Sequence, residues 1–304
     1  CSSDLFDEAL IDLERALMVQ PRDPLALYNK ASVHSARGQI AEALAALDVA
    51  IEVKPDFVPA LIVKGNLLAK RGQSDAAMSA LARATALDPN NGDALNNLGS
   101  ILLDLKRWPE ALVQFERAIA VAPFHLEARV NRGRVFGKLG RLDDELAAYD
   151  QVIATHPAFS GAHLCRGIAL VERKRVTEAL ASFEIALKLD PNSANGWHAY
   201  GNALVANGAR EEALAAFDRA IAINPRQTSA LNNRALTLRL LRRYDEAADA
   251  FVKLRKLDPG YQHVLGNLFN ARLYCCDWRD YDATTAEIAQ ALHDRRSVET
   301  PFSL

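Results

Sequence analysis

The sequence predicts an all-α fold in which pairs of antiparallel helices repeat along the chain as an α-solenoid. Eight of the twelve prolines stand 34 residues apart, and the apolar residues between them recur at helical rather than strand spacing. A fixed period of this length is typical of repeat arrays, in which each unit buries its apolar face against its neighbours. The periodic prolines are Pro21, Pro55, Pro89, Pro123, Pro157, Pro191, Pro225 and Pro259. Because proline cannot continue a helix, each one ends a repeat.

Small and bulky residues keep fixed places within the period. If the periodic proline is position 32, complete units start at residues 24, 58, 92, 126, 160, 194 and 228. Position 8 is glycine or alanine in every unit, position 20 is alanine in all but one, and position 24 is leucine, phenylalanine or tyrosine. Small residues let two helices approach closely, and the bulky residue fills the gap beside them. Glycines at 38, 72, 140 and 208 follow the first helix of a unit and predict its C-terminal stop.

The same phase divides the chain. We expect residues 1–261 to form the repeat array, with a leading half-repeat at 1–23, and residues 262–304 to form a diverged capping pair. The chain opens on Cys1 without a methionine, which is compatible with a fragment of a longer protein or with a processed lipoprotein terminus. Because Cys1 falls in the middle of a unit, the phase favours a fragment.

The bulk composition bounds the function. A net charge of −2 and a pI of about 6.4 argue against a nucleic-acid groove, and no apolar run has the length of a membrane span. The four cysteines lack metal-ligand spacing, and no histidine has a triad partner that spacing can supply. We therefore expect a cytoplasmic protein with reduced thiols, no cofactor, no metal and no catalytic residue. The sequence does not indicate an oligomeric state.

Taken together, these positions resemble a known family. A small residue at 8, 20 and 27, a large residue at 24 and proline at 32, repeated every 34 residues, resemble the tetratricopeptide repeat over residues 1–261. The resemblance implies a right-handed superhelix whose first helices line a concave groove for a protein or an extended peptide. In this family, positions 2, 5, 6, 9, 12 and 13 tend to face that groove.

Asparagine recurs at position 6 and at its groove-facing neighbours. A side-chain amide both donates to and accepts from a peptide backbone, whatever the peptide's side chains. The residues predicted to bind peptide are Asn29, Asn97, Asn131, Asn233 and Asn267 at position 6, with Asn66, Asn96, Asn202 and Asn232 beside them. Val63, Cys165 and Ala199 interrupt the series, which favours two patches over one track. The alternative interpretation is that these asparagines hydrogen-bond to neighbouring helices.

One unit departs from the pattern. In residues 126–159, Glu145 occupies position 20, where the other units have alanine. An unpaired carboxylate between packed helices costs several kcal/mol. We therefore expect either a local shift that carries Glu145 outwards or a pairing with Arg132 or Arg141.

The segment after Pro259 carries a second resemblance. The string NLFNARLYCCDWRDYD, followed by a helix from 283 to 293 and then Pro301-Phe302, resembles the junction between repeats and catalytic region in O-linked N-acetylglucosamine (O-GlcNAc) transferases and their SPINDLY-like relatives. This resemblance implies that the chain is the recognition region of a glycosyltransferase. The chain itself has no sugar-nucleotide site, so we expect no enzymatic activity from it. The alternative is a free-standing adaptor that assembles a protein complex.

The same segment predicts two local details. Asp277 is placed to cap the last helix, with Asp280 and Asp282 near its positive N-terminal end. Trp278 is expected to bury its ring against the preceding unit and so close the array, because a solenoid needs a capped end.

Overall fold

A computed structural model describes residues 2–261, 263–278 and 281–293, and every regular element in these residues is a helix. The helices are α1 Ser2–Val19, α2 Pro24–Ala36, α3 Ile40–Val53, α4 Val58–Lys70, α5 Ser74–Leu87, α6 Gly92–Asp104, α7 Trp108–Val121, α8 Leu126–Lys138, α9 Leu142–Thr155, α10 Ser160–Glu172, α11 Val176–Leu189, α12 Ala194–Ala206, α13 Arg210–Ile223, α14 Thr228–Leu240, α15 Tyr244–Leu257, α16 Val264–Tyr274 and α17 Tyr281–His293. The all-α helical-repeat fold is confirmed. The even-numbered helices from α2 to α14 begin at residues 24, 58, 92, 126, 160, 194 and 228, which are the predicted first residues of the complete repeats.

The chain divides into two compact units, Cys1–Val152 and Ile153–Leu304. In the first, α2 packs on α3, α4 on α5 and α6 on α7, and each pair also packs on the next one along the chain. In the second, the pairs are α10 with α11, α12 with α13 and α14 with α15, and α16 packs on α15. First helices also contact each other directly: α4 contacts α6 and α6 contacts α8 in the first unit, and α10 contacts α12 and α12 contacts α14 in the second. We call the surface that these neighbouring first helices form in each unit the first-helix face.

The close approach of the two helices of a pair depends on the small residue at position 8. A Cβ atom added at Gly133 would lie 2.6 Å from the ring of Tyr149, and one added at Gly201 would lie 2.5 Å from the ring of Phe217. Both rings are fully buried position-24 side chains. The small residue at 8 and the large residue at 24 are thus one packing unit, as the spacing predicts.

The turn between the two helices of a pair has a left-handed residue at position 15. The glycines predicted as helix stops adopt this conformation, with φ between 73° and 84°. Where no glycine is present, the same place is taken by Lys106, Lys174, Arg242 and Cys276, with φ between 55° and 60°. The next residue then bonds back to the helix: the N–H of Arg107 donates to the carbonyl of Leu102 at 2.8 Å. Since Cys276 keeps this phase, the helical period continues beyond Pro259.

Glu145 stays inside the fold, so the expected outward shift is wrong. Its side chain is only 6% exposed, and Tyr149 Oη donates to Glu145 Oε1 at 3.3 Å. Space for the carboxylate comes from position 12 of the same repeat, where a Cβ added to Gly137 would lie 2.5 Å from Glu145 Oε1. The repeat has exchanged the sizes of two facing residues: in the preceding repeat, Leu103 and Ala111 fill the same two places.

The two arginines considered as partners of Glu145 make other contacts. Arg141 Nε donates to Asp144 at 2.7 Å, one turn into α9. The Arg132 guanidinium lies over the ring of Phe136, 5.6 Å from its centroid. The missing side chain at Gly137, not an outward movement of the helix, lets the repeat bury Glu145.

The end of the array differs from the expectation for Trp278. Its ring is 61% exposed and meets Tyr281 edge-on, with centroids 5.6 Å apart. Tyr281, which is 40% exposed, makes the contact with α16 instead: its ring lies 5.5 Å from that of Phe269. The expected burial of the Trp278 ring is therefore wrong. Asp277 faces Arg272 at 3.8 Å, and Asp280 lies outside the described residues.

Candidate peptide-binding surface

Each unit carries one cluster of polar side chains on its first-helix face. In the first unit we define the Asn96 cluster as Asn96, Asn97, Ser100, Asn131 and Arg134, on α6 and α8. Asn131 Nδ2 donates to Asn96 Oδ1 at 3.0 Å and approaches Ser100 Oγ at 3.5 Å. Arg134 Nη1 donates to Asn131 Oδ1 at 3.1 Å. Both the Nδ2 and the Oδ1 of Asn131 are therefore hydrogen-bonded within the protein.

In the second unit we define the His198 cluster as His198, Asn202, Asn232 and Asn233, on α12 and α14. Asn233 Nδ2 lies 2.7 Å from Asn202 Oδ1 and 3.1 Å from His198 Nε2, and Asn232 Nδ2 donates to Asn233 Oδ1 at 3.2 Å. Asn202 Nδ2 lies 3.4 Å from the same histidine nitrogen. Burial lowers the pKa of His198, so the ring is neutral at pH 7 and its Nε2 accepts from these amides.

The geometry bears on the alternative interpretation of the asparagine series. Asn131 and Asn233 hydrogen-bond to the preceding first helix, which is what the alternative interpretation expects. Asn97 is different: it is partly buried, accepts a weak bond from Asn96 at 3.4 Å, and its own Nδ2 donates to no group in the described part of the chain. Asn97 is thus the position-6 amide in the Asn96 cluster whose donors face outwards unused.

The remaining predicted residues lie apart from the clusters. Asn29 is exposed and Asn66 is partly buried, and neither makes a side-chain hydrogen bond within the described residues. Asn267 is only 3% exposed, and its Oδ1 accepts from Arg239 of α14. The structure thus brings Asn96, Asn97 and Asn131 together, and Asn202, Asn232 and Asn233 together. Asn29, Asn66 and Asn267 join neither group.

A second regular set of contacts was missed from the sequence. In several repeats a donor at position 7 meets the acid at position 25 of the preceding repeat, 16 residues earlier. Lys64 Nζ lies 2.6 Å from Asp48, and Arg234 Nε lies 2.6 Å from Asp218. The 16-residue spacing of opposite charges is readable in the sequence once the two positions are known to face each other. These pairs join neighbouring repeats beside the first-helix face.

Two properties of the described residues bear on other classes of site. No described helix combines the length and the hydropathy needed to cross a membrane. Within the same part of the chain, no three His, Cys, Asp or Glu side chains are grouped so that they could hold a metal ion.

Comparison with known structures agrees with this architecture. The chain is similar to yeast Tom70, with a TM-score of 0.72 and 18% identity over 94% of this chain and 62% of that one. It therefore spans less than two thirds of the length of Tom70. It is also similar to a tetratricopeptide repeat protein from Parabacteroides merdae, with a TM-score of 0.63 and 17% identity over 81% and 97% of the two chains. Against the Cut9–Hcn1 structure the TM-score is 0.65, with 14% identity over 88% and 52%.

Comparison of sequences identifies the family. No curated protein sequence matches the chain. A model of the tetratricopeptide repeat matches residues 3–56, 62–125, 110–158, 130–194 and 199–261, which together make up most of the sequence. The repeat positions, the helix pairs and this match agree, and the chain belongs to the tetratricopeptide repeat family.

Proposed function

We propose that this chain is a protein-interaction scaffold that holds an extended peptide segment of a partner on its first-helix face. The observation that carries the proposal is the pair of amide clusters, one in each unit, on adjacent first helices. Each cluster presents donors and acceptors that are partly buried and therefore held in place, yet still reachable by a ligand. Peptide backbones need such groups, because every residue except proline brings one N–H and one C=O.

The clusters favour recognition of the backbone over recognition of particular side chains. Asn97 offers unused donors, and Asn131 is fixed from both ends by its bonds to Asn96 and Arg134. A fixed amide loses little rotamer freedom when a ligand binds, so more of each hydrogen bond appears as affinity. The scaffold would therefore accept many sequences and select them weakly, apart from any side chain that reaches a dedicated pocket.

The test is a binding titration with a peptide selected from a randomised phage-displayed library against the wild-type chain. We expect Asn97→Ala to weaken binding about fivefold, the value of one hydrogen bond of about 1 kcal/mol, without a change in melting. Asn131→Ala and Asn233→Ala should weaken binding and also lower the melting temperature, because both amides join neighbouring helices. Asn192→Ala, in an exposed turn between repeats, is the matched control and should change neither.

Two results would contradict this proposal. One is unchanged peptide affinity in all three variants. The other is a loss of affinity that follows the loss of helicity in every variant, since the asparagines would then support only the fold.

We further propose, from the resemblance of residues 264–302, that the scaffold is the recognition region of a protein related to O-GlcNAc transferase and located in the cytoplasm. A free-standing adaptor without a linked enzyme is the alternative. Sequencing the gene beyond the codon of Leu304 separates them. A sugar-nucleotide-binding domain in the same reading frame supports the first, and a stop codon there overturns it.

A further inference from the structure

A cavity of about 560 Å³ opens beside the His198 cluster, between α14, the 258–261 turn and the start of α16. It is lined by Asn232, Leu236, Asp258, Gly260, Tyr261, His263 and Asn267. Asn232 belongs to both the cavity and the His198 cluster, where it donates to Asn233. A peptide held by that cluster would therefore have the cavity within reach of a side chain.

One buried polar atom in the cavity wall is left without a partner. His263 Nδ1 is buried and has no hydrogen-bond partner in the described part of the chain. A buried nitrogen in this state is destabilising unless a ligand or water supplies the missing bond. Asn267, almost fully buried, contributes its amide to the same wall. A cavity with a buried, unsatisfied nitrogen in its wall is typical of a binding pocket.

The charge in the cavity comes from Asp258. One of its carboxylate oxygens accepts the N–H of Gly260 at 3.1 Å, which closes the turn. Burial, and after it the negative charge of Asp258, raises the pKa of Tyr261, so the Asp258 carboxylate is felt inside the cavity. Arg239 donates to Asn267 Oδ1 but does not itself line the cavity. Asp258 is the one carboxylate among the lining residues, and none of them is a lysine or an arginine.

We propose that this cavity takes a basic side chain, arginine or lysine, of the peptide bound on the first-helix face; this inference rests on the proposed function. Asp258 supplies the counter-charge, and the side-chain amide of Asn232 supplies a neutral acceptor oxygen. Leu236 and the ring of Tyr261 cover the aliphatic stem, and an aromatic ring also attracts a cation. The scaffold thus combines backbone binding at the asparagines with selection of one basic residue at the cavity.

The turn allows a clean test of the charge. Asn224 closes the equivalent turn of the preceding repeat, accepting the N–H of Arg226 at 3.2 Å. Asp258→Asn should therefore keep the turn and remove only the charge. Asp190→Asn is the matched control, because Asp190 closes another such turn and accepts from Asn192 at 3.2 Å. Leu236→Trp is a second variant that fills the cavity without touching Asp258.

The experiment titrates the full chain with single-residue probes and follows side-chain amide signals by NMR. We expect N-acetyl-arginine amide and N-acetyl-lysine amide to shift the signals of Asn232 and Asn267 saturably, and N-acetyl-glutamate amide to leave them unchanged. Asp258→Asn should weaken the arginine probe at least about fivefold, as loss of a charge-assisted hydrogen bond does. Leu236→Trp should abolish binding, and Asp190→Asn should not affect it.

Three outcomes overturn the inference: no saturable shift with either basic probe, equal response to the glutamate probe, or full affinity in Asp258→Asn. These probes do not depend on the peptide titration above. If the peptide binds through the asparagines while the basic probes fail, only the cavity assignment is wrong. If the probes bind while the asparagine variants keep full peptide affinity, the cavity assignment stands as a site for basic side chains and the proposed backbone track fails.

Discussion

Glu145 in the first unit and His198 in the second both place an ionisable side chain among packed helices, and the two units accommodate them differently. Glu145 is buried between α8 and α9 of one repeat, where Gly137 leaves the space and Tyr149 donates a hydrogen bond. His198 lies between repeats, where amides of α12 and α14 face its Nε2. The polar group inside a pair thus needs the space left by a facing glycine as well as a hydrogen bond, whereas the one between pairs is surrounded by amides of its own and the next repeat. The second arrangement leaves the polar groups accessible to a ligand.

The largest expected effect tests whether the missing side chain at Gly137 makes room for Glu145. Gly137→Leu should lower the free energy of unfolding by about 1–3 kcal/mol, because the new side chain must occupy the place of the Glu145 carboxylate. The double variant Gly137→Leu/Glu145→Ala should recover this loss, since it restores the pairing that Leu103 and Ala111 make in the preceding repeat. Urea denaturation of the two variants and of Glu145→Ala measures the coupling. A double variant no more stable than Gly137→Leu would contradict the size exchange.

A smaller effect is expected at position 15 of the repeat, where each unit has a turn without the usual glycine. Lys106 in the first unit and Arg242 in the second adopt the left-handed conformation that glycine takes in other turns. Lys106→Gly and Arg242→Gly should each stabilise the protein by about 0.5–1 kcal/mol, because the steric cost at positive φ exceeds the entropy that glycine adds to the unfolded chain. The shift in urea midpoint measures this. Gly72→Lys is the reciprocal control and should lower the midpoint, and equal midpoints in all three variants would show that the turn carries no strain.

The smallest effect is a pH dependence specific to the second unit. Burial lowers the pKa of His198, so the folded chain takes up a proton less readily than the unfolded chain does. Stability should therefore be complete above the ordinary histidine pKa of about 6.5 and should fall as the pH drops below it. His198→Gln, which stays neutral, should lose less stability between pH 7.5 and 5.5 than the wild type does. Identical losses in the two proteins would remove His198 as the cause.

Much of the fold could be predicted because its determinants are local. Gly38 and Pro55 mark the turns of their repeat, since one tolerates positive φ and the other cannot continue a helix. The packing of Gly201 on Phe217 also follows from fixed positions within one repeat. The interruptions at position 6 are also visible in the sequence, but the two peptide-binding patches that they favour stay a prediction.

Other features depended on contacts that the pattern does not specify. Asn131 and Asn233 occupy the same repeat position, and the Nδ2 of each meets positions 5 and 9 of the preceding repeat: Asn96 and Ser100 in one case, His198 and Asn202 in the other. The 34-residue pattern alone does not show that these positions face each other across two repeats. The exposure of Trp278 was not predictable either, since nothing in the local sequence ranks its ring against that of Tyr281.

The sequence by itself determined the period, the helix pairs and the turns, because these follow from backbone preferences and from residues that contact each other within one 34-residue unit. Only the tertiary structure decided which amides are consumed between repeats, how Glu145 is buried and where a cavity beside Asp258 opens. Those outcomes depend on how closely and at what rotation neighbouring helices pack. A shift of a few tenths of an ångström is enough to make or break a hydrogen bond.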